Sequence, residues 1–147
     1  MKTEMTVKIE VPADLVLLRP LDVFVRHLFQ GLPHGAVSEG LAANLELVFN
    51  EAFMNIHDHA YRSRPMGPVS IEISVSPDRV EFRFQDEGEG FDPDQVKPPD
   101  PDDPSERGRG VWLMRHIMDE FLYRTNQEGK NVLRLVKHFP HSPEGSG

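Results

Sequence analysis

Helical and strand-like hydrophobic periods are segregated along this chain, and that segregation constrains the fold more than any other feature. One alternating run, Met5/Val7/Ile9/Val11 against Thr6/Lys8/Glu10, comes first and stops at Pro12. Apolar residues then return every three or four positions as far as Tyr61, and every second position over Val69–Val75 and Val80–Phe84. A period near 3.6 marks a helix with one buried face, and a period of 2 marks a half-buried strand. The pattern predicts a first helix with Leu21, Phe24, Val25, Leu28 and Phe29 on one side, Pro20 near its first turn, and Gly31 and Pro33 closing it. Ser38 is the expected N-cap of a long second helix reaching about Tyr61, with Leu41, Leu45, Val48, Ala52 and Ile56 as its core stripe.

Later segments read as strands at Val69–Val75 and Val80–Phe84 turned at Pro77-Asp78, then a short helix at Val111–Met118. Two further strands, around Phe121–Tyr123 and Val132–Val136, are joined at Gln127–Lys130. Helices segregate early and strands late. The expected class is therefore α/β, a two-layer α/β sandwich with helices on one face of a mixed, largely antiparallel sheet. A doubly wound sheet needs regular strand–helix alternation, which the chain lacks. The 147 residues suit a single domain, 1–147, with a core over about 5–139 and a polar tail at 140–147.

Charge narrows the function. Of 24 acidic residues, nine lie between Asp86 and Glu106 against one base, Lys97, and that stretch accounts for the whole net charge of −8. It also holds five of the 13 prolines, so it resists regular structure. Such a segment repels a nucleic-acid backbone, so direct nucleic-acid binding is not expected. The absence of cysteine rules out disulfides, thiolate metal sites and cysteine nucleophiles. No apolar run approaches the ~18 residues of a membrane span, and the first residues lack a secretory pattern, so the expected location is cytoplasmic.

Three constellations carry chemistry. Glu51, Asn55 and His59 recur at i, i+4 and i+8 on the rim of the long helix's core stripe. Glu51 can accept a proton, the Asn55 amide oxygen is a neutral ligand suited to Mg²⁺, and His59 can donate to a phosphate. By itself the trio fits a solvated helix edge equally well. Asp86-Glu87-Gly88-Glu89-Gly90-Phe91-Asp92 directly follows a strand. Its glycines permit close backbone approach to a planar ligand, and Asp86 can accept a hydrogen bond from an exocyclic amine such as adenine's. Alone, an acidic-glycine turn is more often structural. Arg107-Gly108-Arg109-Gly110 precedes a helix, where backbone amides and cationic side chains cradle phosphate. In this order, with the Asp92–Glu106 segment between the last two, they describe a nucleotide pocket with a lid.

These words, Glu51-Ala-Phe-Met-Asn55 to His59-Ala60-Tyr61, Asp86-x-Gly88-x-Gly90-Phe91-Asp92, and Gly108-Arg109-Gly110 running into Leu113-Met114-x-x-Ile117-Met118-Asp119-Glu120, resemble the Bergerat-fold, histidine-kinase-like ATPase superfamily. The last run is most similar to the anti-sigma factor serine-protein kinases of bacterial partner-switching systems. The resemblance implies ATP and Mg²⁺ as cofactors, with Glu51 as general base and Asn55 as metal ligand. It further implies that Asp86 receives the adenine amine, that Gly88 and Gly90 line the base, that Gly108, Arg109 and Gly110 close on the phosphates, and that 92–106 is the ATP lid. The implied activity is transfer of the γ-phosphoryl group to a serine of a STAS-type anti-anti-sigma protein. The implied partners are that protein, a sigma factor or similar client, and a second copy of the chain as a homodimer. Two departures, Asp58 where relatives often carry a base and Gly129-Lys130-Asn131 where many place threonine, keep open a weakly catalytic regulator acting by sequestration.

Overall fold

The computed structural model describes residues 4–32, 37–60, 67–90, 92–95, 102 and 109–140. Within them the order is β1 (Met5–Pro12), α1 (Leu18–Gln30), α2 (Glu39–Asn55), β2 (Pro68–Val75), β3 (Arg79–Asp86), α3 (Arg109–Ile117), β4 (Glu120–Thr125) and β5 (Asn131–His138). The strands form one sheet in the order β1-β2-β3-β5-β4.

The two-layer α/β expectation holds, but the expected mixed sheet does not: every neighbouring pair is antiparallel. Connectivity gives the reason. Two helices separate β1 from β2, so the chain returns to lay β2 against β1 in the opposite direction. One helix, α3, separates β3 from β4, which therefore run the same way, but β5 lies between them and no parallel pair forms. The β2–β3 turn is also longer than a Pro77-Asp78 pair, running through Ser76, Pro77 and Asp78. The Ser76 hydroxyl donates to Asp78 at 2.8 Å and holds that carboxyl below its ordinary range.

Alternation along the strands puts Ile71, Ile73, Phe82, Phe84, Leu133 and Leu135 under the helices, all essentially fully buried. From above come Leu21, Val25 and Phe29 of α1, and Leu45, Val48, Phe49, Ala52 and Phe53 of α2. The buried face of α2 is thus wider than the predicted stripe, whereas Phe24, assigned to the core face of α1, is 37% exposed. Phe49 stands edge-on to Phe82 at 5.6 Å between centroids, and Phe29 does the same at 6.1 Å. Such packed aromatic pairs add stability beyond the area they bury.

The helices are also tied at their outer edge. Arg26 bridges to Glu46 at 2.6 Å, and the Asn50 amide donates to Asp22 at 3.0 Å. Contact with Glu46 first, then the Asn50 amide and the Arg26 charge, hold the Asp22 carboxyl below its ordinary range against the opposing effect of burial.

The N-cap of α2 is as expected: Ser38 Oγ accepts from the Leu41 N–H at 3.1 Å. Its far end is not. Regular α geometry stops at Asn55, and Ile56–Ala60 forms a single π-helical turn. There the His57 Nδ1–H donates to the Ala13 carbonyl at 2.9 Å, fixing the widened turn to the segment after β1. The expected helix end at Tyr61, most of the 92–106 lid and the tail beyond Pro140 lie outside the described residues.

Candidate functional site

Glu51 and Asn55, one turn apart on α2, meet the start of α3 at Gly110. A β-carbon on Gly110 would lie 2.5 Å from Glu51 Oε2 and 3.5 Å from Asn55 Nδ2. Only glycine permits this approach, which brings the last residue of the third constellation against two residues of the first. Gly110 is buried, while Glu51 and Asn55 are half-buried. α3 begins at Arg109, two residues earlier than the pattern suggested, so the amides of its first turn lie where an acid and a carboxamide converge.

Asn55 also carries unmet polarity: its Nδ2 is buried without a hydrogen-bond partner. An orphaned amide is costly to bury, and a carboxamide turned over presents its oxygen instead of its nitrogen. An acid and an amide oxygen side by side are hard oxygen donors that fit Mg²⁺, an ion that takes few protein ligands and completes its shell with phosphate and water.

Asp86 ends β3 on the helix-covered face and is 3% exposed. Its Oδ1 accepts from the Gly88 N–H at 2.9 Å and from Asn131 Nδ2 at 2.9 Å. The same Asn131 amide donates to the Gly88 carbonyl at 3.0 Å, and its Oδ1 accepts from the Thr125 hydroxyl at 3.0 Å. Gly90 has φ of +78°, and a β-carbon there would sit 2.9 Å from Asn131 Oδ1 and 3.0 Å from the Tyr123 hydroxyl. The glycine at 90 therefore lets the loop lie close against Tyr123 of β4 and Asn131 of β5.

The lid's first residues are anchored to α3. Asp92 Oδ1 accepts from the Asp94 N–H at 2.9 Å, and Arg115 binds the Asp94 carboxylate at 2.8 Å. Arg115 also lies 4.8 Å over the Phe121 ring. Next to it on the helix, Trp112 stacks on His116 at 4.7 Å with 9° between the rings.

Placement of the remaining expected residues is uneven. His59 is half-buried in the π-turn, where the i+4 stacking that aligned it with Asn55 no longer applies. Asp58, in the same turn, is exposed. Gly108 and the Arg109 side chain lie outside the described residues. Asn131, Thr125 and Tyr123 were missed as site residues. The signal for the first two was register: Asp86, Asn131 and Thr125 are direct cross-strand neighbours in one row of the sheet.

Among the described residues no helix is long and apolar enough to cross a membrane. The family description Histidine kinase-like ATPase domain matches residues 11–137. The chain is 40% identical over 85 residues to serine-protein kinase RsbW of Bacillus subtilis, a match covering 52% of this chain and 53% of that one. It is 35% identical over 107 residues to serine/threonine-protein kinase BtrW of Bordetella bronchiseptica, covering 69% and 73% of the two chains. It is 31% identical over 98 residues to anti-sigma F factor of Heyndrickxia coagulans, covering 63% and 67%. The chain spans about half the length of the RsbW relatives it matches. An acid and a carboxamide on α2 against the glycine start of α3, and a buried strand-end aspartate above a glycine loop, agree with those matches: the chain belongs to the histidine kinase-like ATPase domain family.

Proposed function

We propose that this protein is an ATP-dependent serine-protein kinase that phosphorylates a STAS-type anti-anti-sigma antagonist and sequesters a sigma factor or similar client. The observation that carries the reading is the seating of Gly110 against Glu51 and Asn55. It puts a proton acceptor and an oxygen ligand beside a helix N-terminus, the combination phosphoryl transfer needs. The names of the relatives, serine-protein kinase RsbW and anti-sigma F factor, support the substrate and client classes. On the same resemblance we place the protein in the cytoplasm as a homodimer.

In this reading Asp86 accepts the 6-amine of adenine, with Gly88 and Gly90 beneath the base. The Gly108–Gly110 backbone and Arg109 hold the phosphates, His59 donates toward them, and 92–106 closes as the lid. Mg²⁺, held by Asn55, supplies charge neutralisation at the phosphates. Glu51 takes the proton of the partner's serine hydroxyl as its oxygen bonds to the γ-phosphorus and ADP leaves. Exposed Asp58 favours a second reading, a nucleotide-dependent sequestering switch with little turnover, because it adds negative charge one turn from the metal ligand.

The test is transfer of labelled phosphate from Mg²⁺–ATP to the serine of a co-encoded small antagonist. Phosphoserine on the antagonist, lost with Glu51→Ala, is the expected result. Nucleotide binding without phosphoserine would select the switch.

A further inference from the structure

We infer that Asn131 is a positioning residue for base selectivity: acting through Asp86, it fixes the acceptor that distinguishes a purine bearing a 6-amine from one without it. The inference rests on the proposed role of Asp86 as the acceptor of that amine.

Three bonds determine the arrangement. Asn131 is 3% exposed, and both hydrogens of its amide are committed, one to Asp86 Oδ1 at 2.9 Å and one to the Gly88 carbonyl at 3.0 Å. Its oxygen accepts from the Thr125 hydroxyl at 3.0 Å. The opposite amide orientation would turn Oδ1 toward a carboxylate oxygen and a carbonyl, three acceptors together, so the network admits one orientation only.

A carboxamide nitrogen donates and never accepts. A hydroxyl in its place would rotate between the two roles and offer one hydrogen instead of two. Asn131 therefore gives the nearly buried Asp86 a permanent donor at Oδ1. Its second hydrogen holds the Gly88 carbonyl, so the loop beneath the base and the carboxylate that reads the base are set by one side chain. Because Asp86 and Asn131 are register partners, the geometry is fixed by the β3–β5 ladder and not by a mobile segment.

The test measures affinities of the whole chain, by titration calorimetry with Mg²⁺, for ATP and for purine riboside triphosphate, which lacks the 6-amine. Wild type is expected to prefer ATP by about ten-fold or more, the value of a hydrogen bond to a charged group. Asn131→Leu is expected to bring the ratio close to one while the amine-free nucleotide binds within about two-fold of wild type. Asn131→Asp places a second carboxylate against Asp86, and a proton shared by the pair restores the donor. Its preference for ATP is therefore expected to return as pH is lowered, a profile that a merely structural role would not give.

An Asn131→Leu protein that keeps the wild-type ratio, or weakens both nucleotides equally, overturns the inference. If Asn131→Leu fails to fold, the pH series of Asn131→Asp decides alone, and a flat series overturns it. Wild type that binds neither nucleotide, or binds the two equally, instead overturns the adenine-site reading itself, and the role of Asn131 falls with it.

Discussion

Gly110 lies so close to Glu51 that a β-carbon on it would come within 2.5 Å of the carboxylate Oε2. The atom in the way is the end of a flexible side chain, so an added methyl group displaces the carboxylate and leaves the fold intact. Gly110→Ala is therefore expected to separate function from stability. Misplacing a reacting group by about 1 Å costs on the order of 10²-fold in rate. Alanine's helix propensity, better than glycine's by about 1 kcal/mol, offsets local strain. Phosphoryl transfer and thermal unfolding of one preparation check this; wild-type transfer would contradict it.

Glu51→Gln keeps the shape of the side chain but cannot take a proton. Transfer to the antagonist is expected to fall by about 10²- to 10⁴-fold, the range of general-base catalysis. Nucleotide affinity is expected to change little, because Asp86 and the proposed phosphate-binding backbone are untouched. Single-turnover transfer beside calorimetric nucleotide affinity makes the comparison.

Phe49 is fully buried and lies tilted against Phe84 at 5.1 Å as well as edge-on against Phe82. Phe49→Ala is expected to cost about 3–5 kcal/mol of folding stability. Denaturant unfolding measures it, and a loss under 1 kcal/mol would mean the two layers re-close over the void.

Acid should loosen the outer α1–α2 edge. The folded Asp22 carboxyl is depressed, so its stabilising contribution is complete above the unfolded value, near about 3.9, and is lost as pH falls through the lower folded value. Asp22→Asn removes that dependence. Thermal midpoints between pH 7 and pH 2 are expected to fall more steeply for wild type than for the variant, the difference opening only at the acid end.

Much of the site was legible because its residues are local words. Glu51 and Asn55 are one helical turn apart, and Asp86, Gly88 and Gly90 are consecutive alternates after a strand; both spacings survive folding. What could not be read was non-local. Asn131 lies 45 positions from Asp86, and only the order β3-β5-β4 makes them partners. The same insertion of β5 removed the parallel pair expected for a mixed sheet. The π-turn at Ile56–Ala60 was invisible for a related reason, since its hydrogen bond from His57 reaches back to Ala13. The buried face of α2 is wider than its predicted stripe because a single helix does not reveal that the sheet covers Phe49 through Phe82 and Phe84 while α1 and α3 also pack against α2.

The stacked pair on α3 has a practical consequence. Trp112 is the chain's sole tryptophan, stands two residues past Gly110 and is 45% exposed against the His116 ring. Indole emission responds to its stacking partner and to the water around it, so the first turns of α3 carry their own optical probe. Any ligand that shifts that turn announces itself in the intrinsic fluorescence, with no label introduced and no background from another indole.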